Sequence, residues 1–318
     1  MNTAAPAHAR PAARALGAAT LGLALGALLL GRKPAPAPAR PPRVEPDRTA
    51  ARQAHRLYQA AALLAASVLG DSAMEHYRGG FDNPGMFAPL ASAAVVLACA
   101  MRATRRQAPA RTGAPYATAC AVGAAGLGFH TYNVLRRPGG LSWANLFYAA
   151  PLGAPAALAL AGVLGLAARP VAAGASTLAG LPSGRALCGV AAAGLAGTSA
   201  EAALLHFRGA FQHPAMWLPV TEPPAAAVML AGAALPGRPG PRRLANALLA
   251  ACTWLGALGM AFHARGVARQ MGGWRNWRQN LLAGPPLPAP PSFSALALAG
   301  RAGLALRAAQ AGNPRRAA

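Results

Sequence analysis

Two stretches carry the reading of this chain: HYRGGFDNPGMFAP at residues 76–89 and HFRGAFQHPAMWLP at residues 206–219. They lie 130 residues apart and share His76/His206, Arg78/Arg208, Gly79/Gly209, Phe81/Phe211, Pro84/Pro214, Met86/Met216 and Pro89/Pro219. Five residues before each histidine stands an acid, Asp71 and Glu201. A second pair of blocks follows in the same order, FHTYNVLRRPGGLSWANLFYAAPLGAP at 129–155 and FHARGVARQMGGWRNWRQNLLAGPPLPAP at 262–290. It matches His130/His263, Gly139/Gly272, Gly140/Gly273, Asn145/Asn280, Pro151/Pro286 and Pro155/Pro290 at an offset of 133 to 135. Two motifs recurring in one order predict a chain made of two like halves.

The residues between the motifs set the medium. Hydrophobic residues are 54% of the 318 and charged residues only 12%. A soluble domain carries about 25% charge, so a water-facing shell is hard to build here. Eight apolar runs, near 57–76, 87–103, 116–135, 145–168, 186–206, 216–236, 244–264 and 281–300, hold the motifs at their ends. A membrane span needs about 20 such residues. The runs are rich in Ala and Gly, which lets helices approach closely in lipid. The expected fold is therefore all-α: a polytopic transmembrane helix bundle of two parallel four-helix repeats. Four spans per half, an even number, send both halves into the bilayer in the same direction.

The remaining segments divide the chain. Residues 1–31 contain the shorter apolar run ALGAATLGLALGALLL and read as a weak signal-anchor-like helix. Residues 32–56 read as a Pro/Arg-rich cytoplasmic linker of extended, polyproline-like backbone. Repeat 1 is expected over 57–168, an inter-repeat loop over 169–185, repeat 2 over 186–306 and a basic tail over 307–318.

The net charge of +23 excludes little by itself. The basic residues, 29 Arg and Lys33, fall between apolar runs rather than on one polar face, so nucleic acid is not an expected partner. One set of alternate loops carries 19 of them and the other 8. Lys and Arg favour the cytoplasmic side, which puts the richer set and the C-terminus inside a bacterial inner membrane and both motifs outside. Trp143, Trp217, Trp274 and Trp277 then fall at outer span ends, where aromatic residues anchor at the interface. Cys99, Cys120, Cys188 and Cys252 lie inside apolar runs without CxxC spacing and read as small packing residues.

The functional signal is polar clustering on the outer face. Five of seven histidines (His76, His130, His206, His213, His263) and five of seven acids (Asp71, Glu75, Asp82, Glu201, Glu222) fall there. Asp71 lies about 15 residues into its run, about 22 Å at 1.5 Å per residue. Acids at depth are usually paired or line a cavity. Three function classes follow. His76, His130, His206 and His263 are candidate ligands for haem b or a metal ion in a membrane redox subunit, although no HExxH or CxxCH signature is present. Asp71, Glu75, Arg78, Glu201 and Arg208 are candidate ion or substrate ligands in a transporter, the acids taking a coupling cation and the arginines an anion. A non-catalytic protein docking a periplasmic or membrane partner is the third. Met86 and Met216 read as packing, the paired glycines as turns, and the prolines of 285–291 as a break facing a vestibule.

Overall fold

A computed structural model describes residues 48–106, 113–237 and 240–312. Every long element in it is a helix. Residues 48–172 form α1 (Arg48–Arg78), α2 (Phe87–Arg106), α3 (Ala114–Leu135), the short α4 (Trp143–Tyr148) and α5 (Gly153–Ala172). Residues 183–311 form α6 (Ser183–Arg208), α7 (Leu218–Ala234), α8 (Arg242–Ala268), the short α9 (Trp277–Ala283) and α10 (Pro291–Ala311). A two-residue antiparallel hairpin, Thr177–Leu178 against Leu181–Pro182, joins the two sets. Among the described residues five helices are long and apolar enough to cross a membrane: α1, α2 with its preceding 3-10 turn, α5, α6 and α8.

Four helices make the centre. α1 packs on α5 and α10, and α6 packs on α10 and, more lightly, on α5. α2 and α3 flank α1 and α5, while α7 and α8 flank α6 and α10. Fully buried leucines from the central four, among them Leu57, Leu64, Leu158, Leu195 and Leu296, fill the space between them. Glycine makes the flanking helices fit. A Cβ at Gly123 of α3 would meet Ala159 N at 2.5 Å and Pro155 O at 2.7 Å on α5. A Cβ at Gly256 of α8 would strike the Ser294 hydroxyl and meet Pro290 O at 3.0 Å on α10. Only a residue without a side chain permits those backbone approaches, and in lipid such close packing supplies much of the association energy.

Several boundaries differ from the sequence reading. Helix α1 begins at Arg48, so residues 48–56 are helical rather than linker. That stretch follows the last proline, Pro46, and buries Ala50, Gln53 and Ala54. The run at 145–168 is two helices, because the chain breaks at Ala149–Leu152 around Pro151. The last run also splits: α9 ends at Ala283, prolines 285–290 separate the two, and α10 continues to Ala311. Residues 307–311 therefore belong to a packed helix, and Arg307 is buried at 8% exposure rather than solvated in a tail. The inter-repeat segment is shorter than expected, since α5 runs to Ala172 and α6 starts at Ser183. The anchor-like segment 1–31, linker residues 32–47 and tail residues 313–318 lie outside the described residues.

Candidate functional site

The duplicated motifs meet at one end of the bundle, where α1, α3, α6 and α8 finish and α2, α5, α7 and α10 begin. Each HxRG stretch ends a long helix by turning into left-handed backbone: Gly80 and Phe81 have φ of 70° and 51°, and Ala210 and Phe211 have 54° and 46°. The turn is closed by the Phe81 amide donating to the His76 carbonyl and Phe211 to His206, both at 3.0 Å. The chain then enters a 3-10 turn whose cap is a side chain, Asn83 Oδ1 accepting from Gly85 N at 2.8 Å and His213 Nδ1 from Ala215 N at 3.1 Å. Met86 lies over Gly79 and Met216 over Gly209, each with its Cε 3.1 Å from the position a Cβ would take. Both methionines pack, as expected.

All four repeat-matched histidines bind a backbone carbonyl. The Nδ1–H of His76 donates to Met86 O and that of His206 to Met216 O, both at 2.7 Å. His130 donates to Pro151 O, and His263 to Pro286 O at 2.7 Å. A carbonyl only accepts, so the proton sits on Nδ1 and a neutral ring keeps its Nε2 lone pair free. His76 lies within electrostatic reach of His130, and His206 within reach of His263. No group of three or more His, Cys, Asp or Glu side chains able to hold a metal ion occurs among the described residues.

The acids and arginines join the two sets of helices. Arg78 ion-pairs with Glu75, one turn earlier on α1, and its other nitrogen lies 3.5 Å from the Leu281 carbonyl of α9. Arg208 of α6 donates to the Phe147 carbonyl of α4 at 2.8 Å and lies 5.3 Å from the Tyr148 ring centre. Each arginine thus reaches the short helix of the other half. Asp71 feels Glu75, Glu201 and Arg78, which brings acids of α1 and α6 to one place. Neither Asp71 nor Glu201 forms an ion pair with an arginine; the Arg78–Glu75 pair is the one such contact among the described residues.

The two repeat-matched acids are not equivalent. Glu201 Oε1 accepts the backbone N–H of Gly153, first residue of α5, at 3.2 Å. The residue aligned with Gly153 in the second block is Pro288, which has no N–H to give. Pro288 instead packs on Gly70 beside Asp71, and its carbonyl accepts from the Ser67 hydroxyl at 2.6 Å. The Asp71 carboxyl is left without a hydrogen-bond donor among the described residues. Sequence reasoning passed over Gly153 and Pro288, although the mismatch PLGAP against PLPAP was visible. It also assigned no role to Asn145 and Asn280, which are buried and lace each loop by donating to Pro138 and Gly140, or to Met271 and Gly273, carbonyls.

Aromatic side chains ring this end. Phe129, Trp143, Tyr148, Phe207, Trp217, Trp274 and Trp277 are all at least half exposed. No family model, curated protein or solved structure matches the chain.

Proposed function

We propose that the protein is a multi-pass carrier of the bacterial inner membrane, of the secondary-transporter class. In this reading its eight long helices span as two parallel repeats, with the C-terminus in the cytoplasm. Asp71 takes up and releases a proton or small cation at the boundary between the halves. Glu201 is its held counterpart, and Arg208, with no carboxylate at ion-pair distance among the described residues, receives an anionic group from the outer side.

The observation that carries this is the unequal acid pair. Transport sites of repeat-built carriers lie where the halves meet and use helix N-termini and buried acids. Here one acid is fixed by the N-terminal amide of α5, whereas its counterpart Asp71 has no hydrogen-bond donor among the described residues, Pro288 packing on its neighbour Gly70; in this reading Asp71 is the acid that exchanges its proton or cation. A carboxylate at such depth is expensive unless it does something. The aromatic ring around the same end suits a membrane–water interface.

The test needs no knowledge of the substrate. Proteoliposomes adsorbed on a solid-supported membrane should give a transient current after a pH or sodium step. Asp71→Asn should abolish it and Asp71→Glu should retain it. A wild type without current in both steps, or an Asp71→Asn current equal to wild type, overturns the reading.

The redox reading has its own support. Donation of Nδ1–H to a carbonyl is how ligating histidines are commonly oriented, and each half brings two such rings within reach of one another. A b-type absorbance band in protein from a haem-replete host, lost in His130→Ala and His263→Ala, would put this reading first.

A further inference from the structure

At the opposite end of the bundle, a recess opens between α7, α8 and α10. Its walls are apolar, formed by Met229, Ala233, Ala245 and Leu304, and two arginines, Arg242 and Arg307, complete it. Arg307 is the unusual member. It is 8% exposed, its terminal nitrogen donates to the Gly237 carbonyl at 2.9 Å, and its Nε is buried with no partner among the described residues. No acid among the described residues compensates it. The described acids, Asp71, Glu75, Asp82, Glu201 and Glu222, all belong to the far end of the helices.

A buried guanidinium with an idle N–H and no counter-charge is costly unless an anion completes it. The anion must be small and oxygen-rich where it meets Arg307, since the guanidinium fork matches phosphate geometry. It must also tolerate the Met229, Ala233 and Leu304 walls. A phosphate diester carrying acyl chains meets both conditions. Arg242 opens α8 and is exposed at the rim, where it would take a second phosphate oxygen. We infer that this recess binds a phosphate-bearing anion through Arg307 and Arg242, in the form of an anionic phospholipid headgroup. Basic pockets between membrane helices are a recurrent way of holding such lipids. The second half alone carries it, because the residue of α5 matching Arg307 is Ala172.

The test is thermal unfolding of the full-length protein in dodecyl maltoside, read by tryptophan fluorescence, as lipid is added. Dioleoylphosphatidylglycerol should raise Tm saturably and dioleoylphosphatidylcholine should not. Arg307→Met should raise the half-saturating phosphatidylglycerol concentration at least about tenfold, the loss of a charge-assisted contact. Arg242→Gln, on the exposed rim and harmless to packing, should raise it several-fold and keeps the test valid if the first variant folds poorly. Inorganic phosphate is the distinguishing arm: a shift by phosphate alone, abolished in Arg307→Met, would keep the phosphate site and assign it to a soluble anion. Equal shifts with both lipids, no shift with phosphatidylglycerol or phosphate, or shifts unchanged in both variants would overturn the inference.

Discussion

Consider Gly153→Ala. In the native chain Gly153 N donates to Glu201 Oε1 at 3.2 Å, and a Cβ at position 153 would fall on the Glu201 carboxyl group itself. The substitution forces the carboxyl away and breaks the hydrogen bond. That bond is worth about 0.5–3 kcal/mol, depending on the charge of the acceptor. Overpacking adds about 1–3 kcal/mol, and Ala in place of Gly at a helix start returns at most about 1 kcal/mol. The net loss should be about 0.5–6 kcal/mol, the bond and the overpacking together less what alanine returns. With Glu201→Ala the obstructing carboxyl is absent, so Gly153→Ala should cost nothing there and even stabilise slightly. The alanine gain cancels between the two backgrounds, so the coupling is the bond plus the overpacking, about 1.5–6 kcal/mol, well above the ~0.5 kcal/mol scatter of independent sites. Equilibrium unfolding in mixed dodecyl maltoside and SDS micelles measures all four corners of the cycle. If Gly153→Ala costs the same in both backgrounds, the α5 amide does not hold Glu201 and the inequality of the two acids loses its basis.

Gly165 and Gly197 should respond with opposite signs in the same assay. A Cβ at Gly165 would enter the ring of fully buried Tyr116, so Gly165→Ala should destabilise by about 1–3 kcal/mol. Gly197 has open space around it, so Gly197→Ala should stabilise by about 0.5–1 kcal/mol. For orientation, alkaline phosphatase fused near Asn83 or Gly273 should be active outside the cell membrane, and fused after Arg106 or at the C-terminus it should be inactive. The reverse pattern would move the histidine and acid site to the cytoplasmic face.

Much of this molecule was legible one segment at a time, because helices are made of local hydrogen bonds and are stopped by local events. The apolar runs, the HxRG ends, the paired glycines at 139–140 and 272–273, and the proline break at 285–290 all act within a few residues. The duplication of the two motifs also implies that His76, His130, His206 and His263 share one end of the helices. The same reasoning misjudged residues 48–56 and 307–311. Their charge suggested solvent, whereas both stretches are helical and bury Ala50, Gln53, Ala54 and Arg307 while their other residues stay partly or fully exposed.

Tertiary structure decided what each polar residue does. The Glu201–Gly153 bond joins residues 48 apart and the Ser67–Pro288 bond residues 221 apart, so both depend on how helices of different halves are rotated and docked. The same docking decides where the arginines go: Arg78 finds Glu75 on its own helix, and Arg208 reaches across to a carbonyl of α4. Sequence symmetry made the two acids look alike. Long-range packing separates them, since an N–H that one half offers at Gly153 is missing from the other at Pro288.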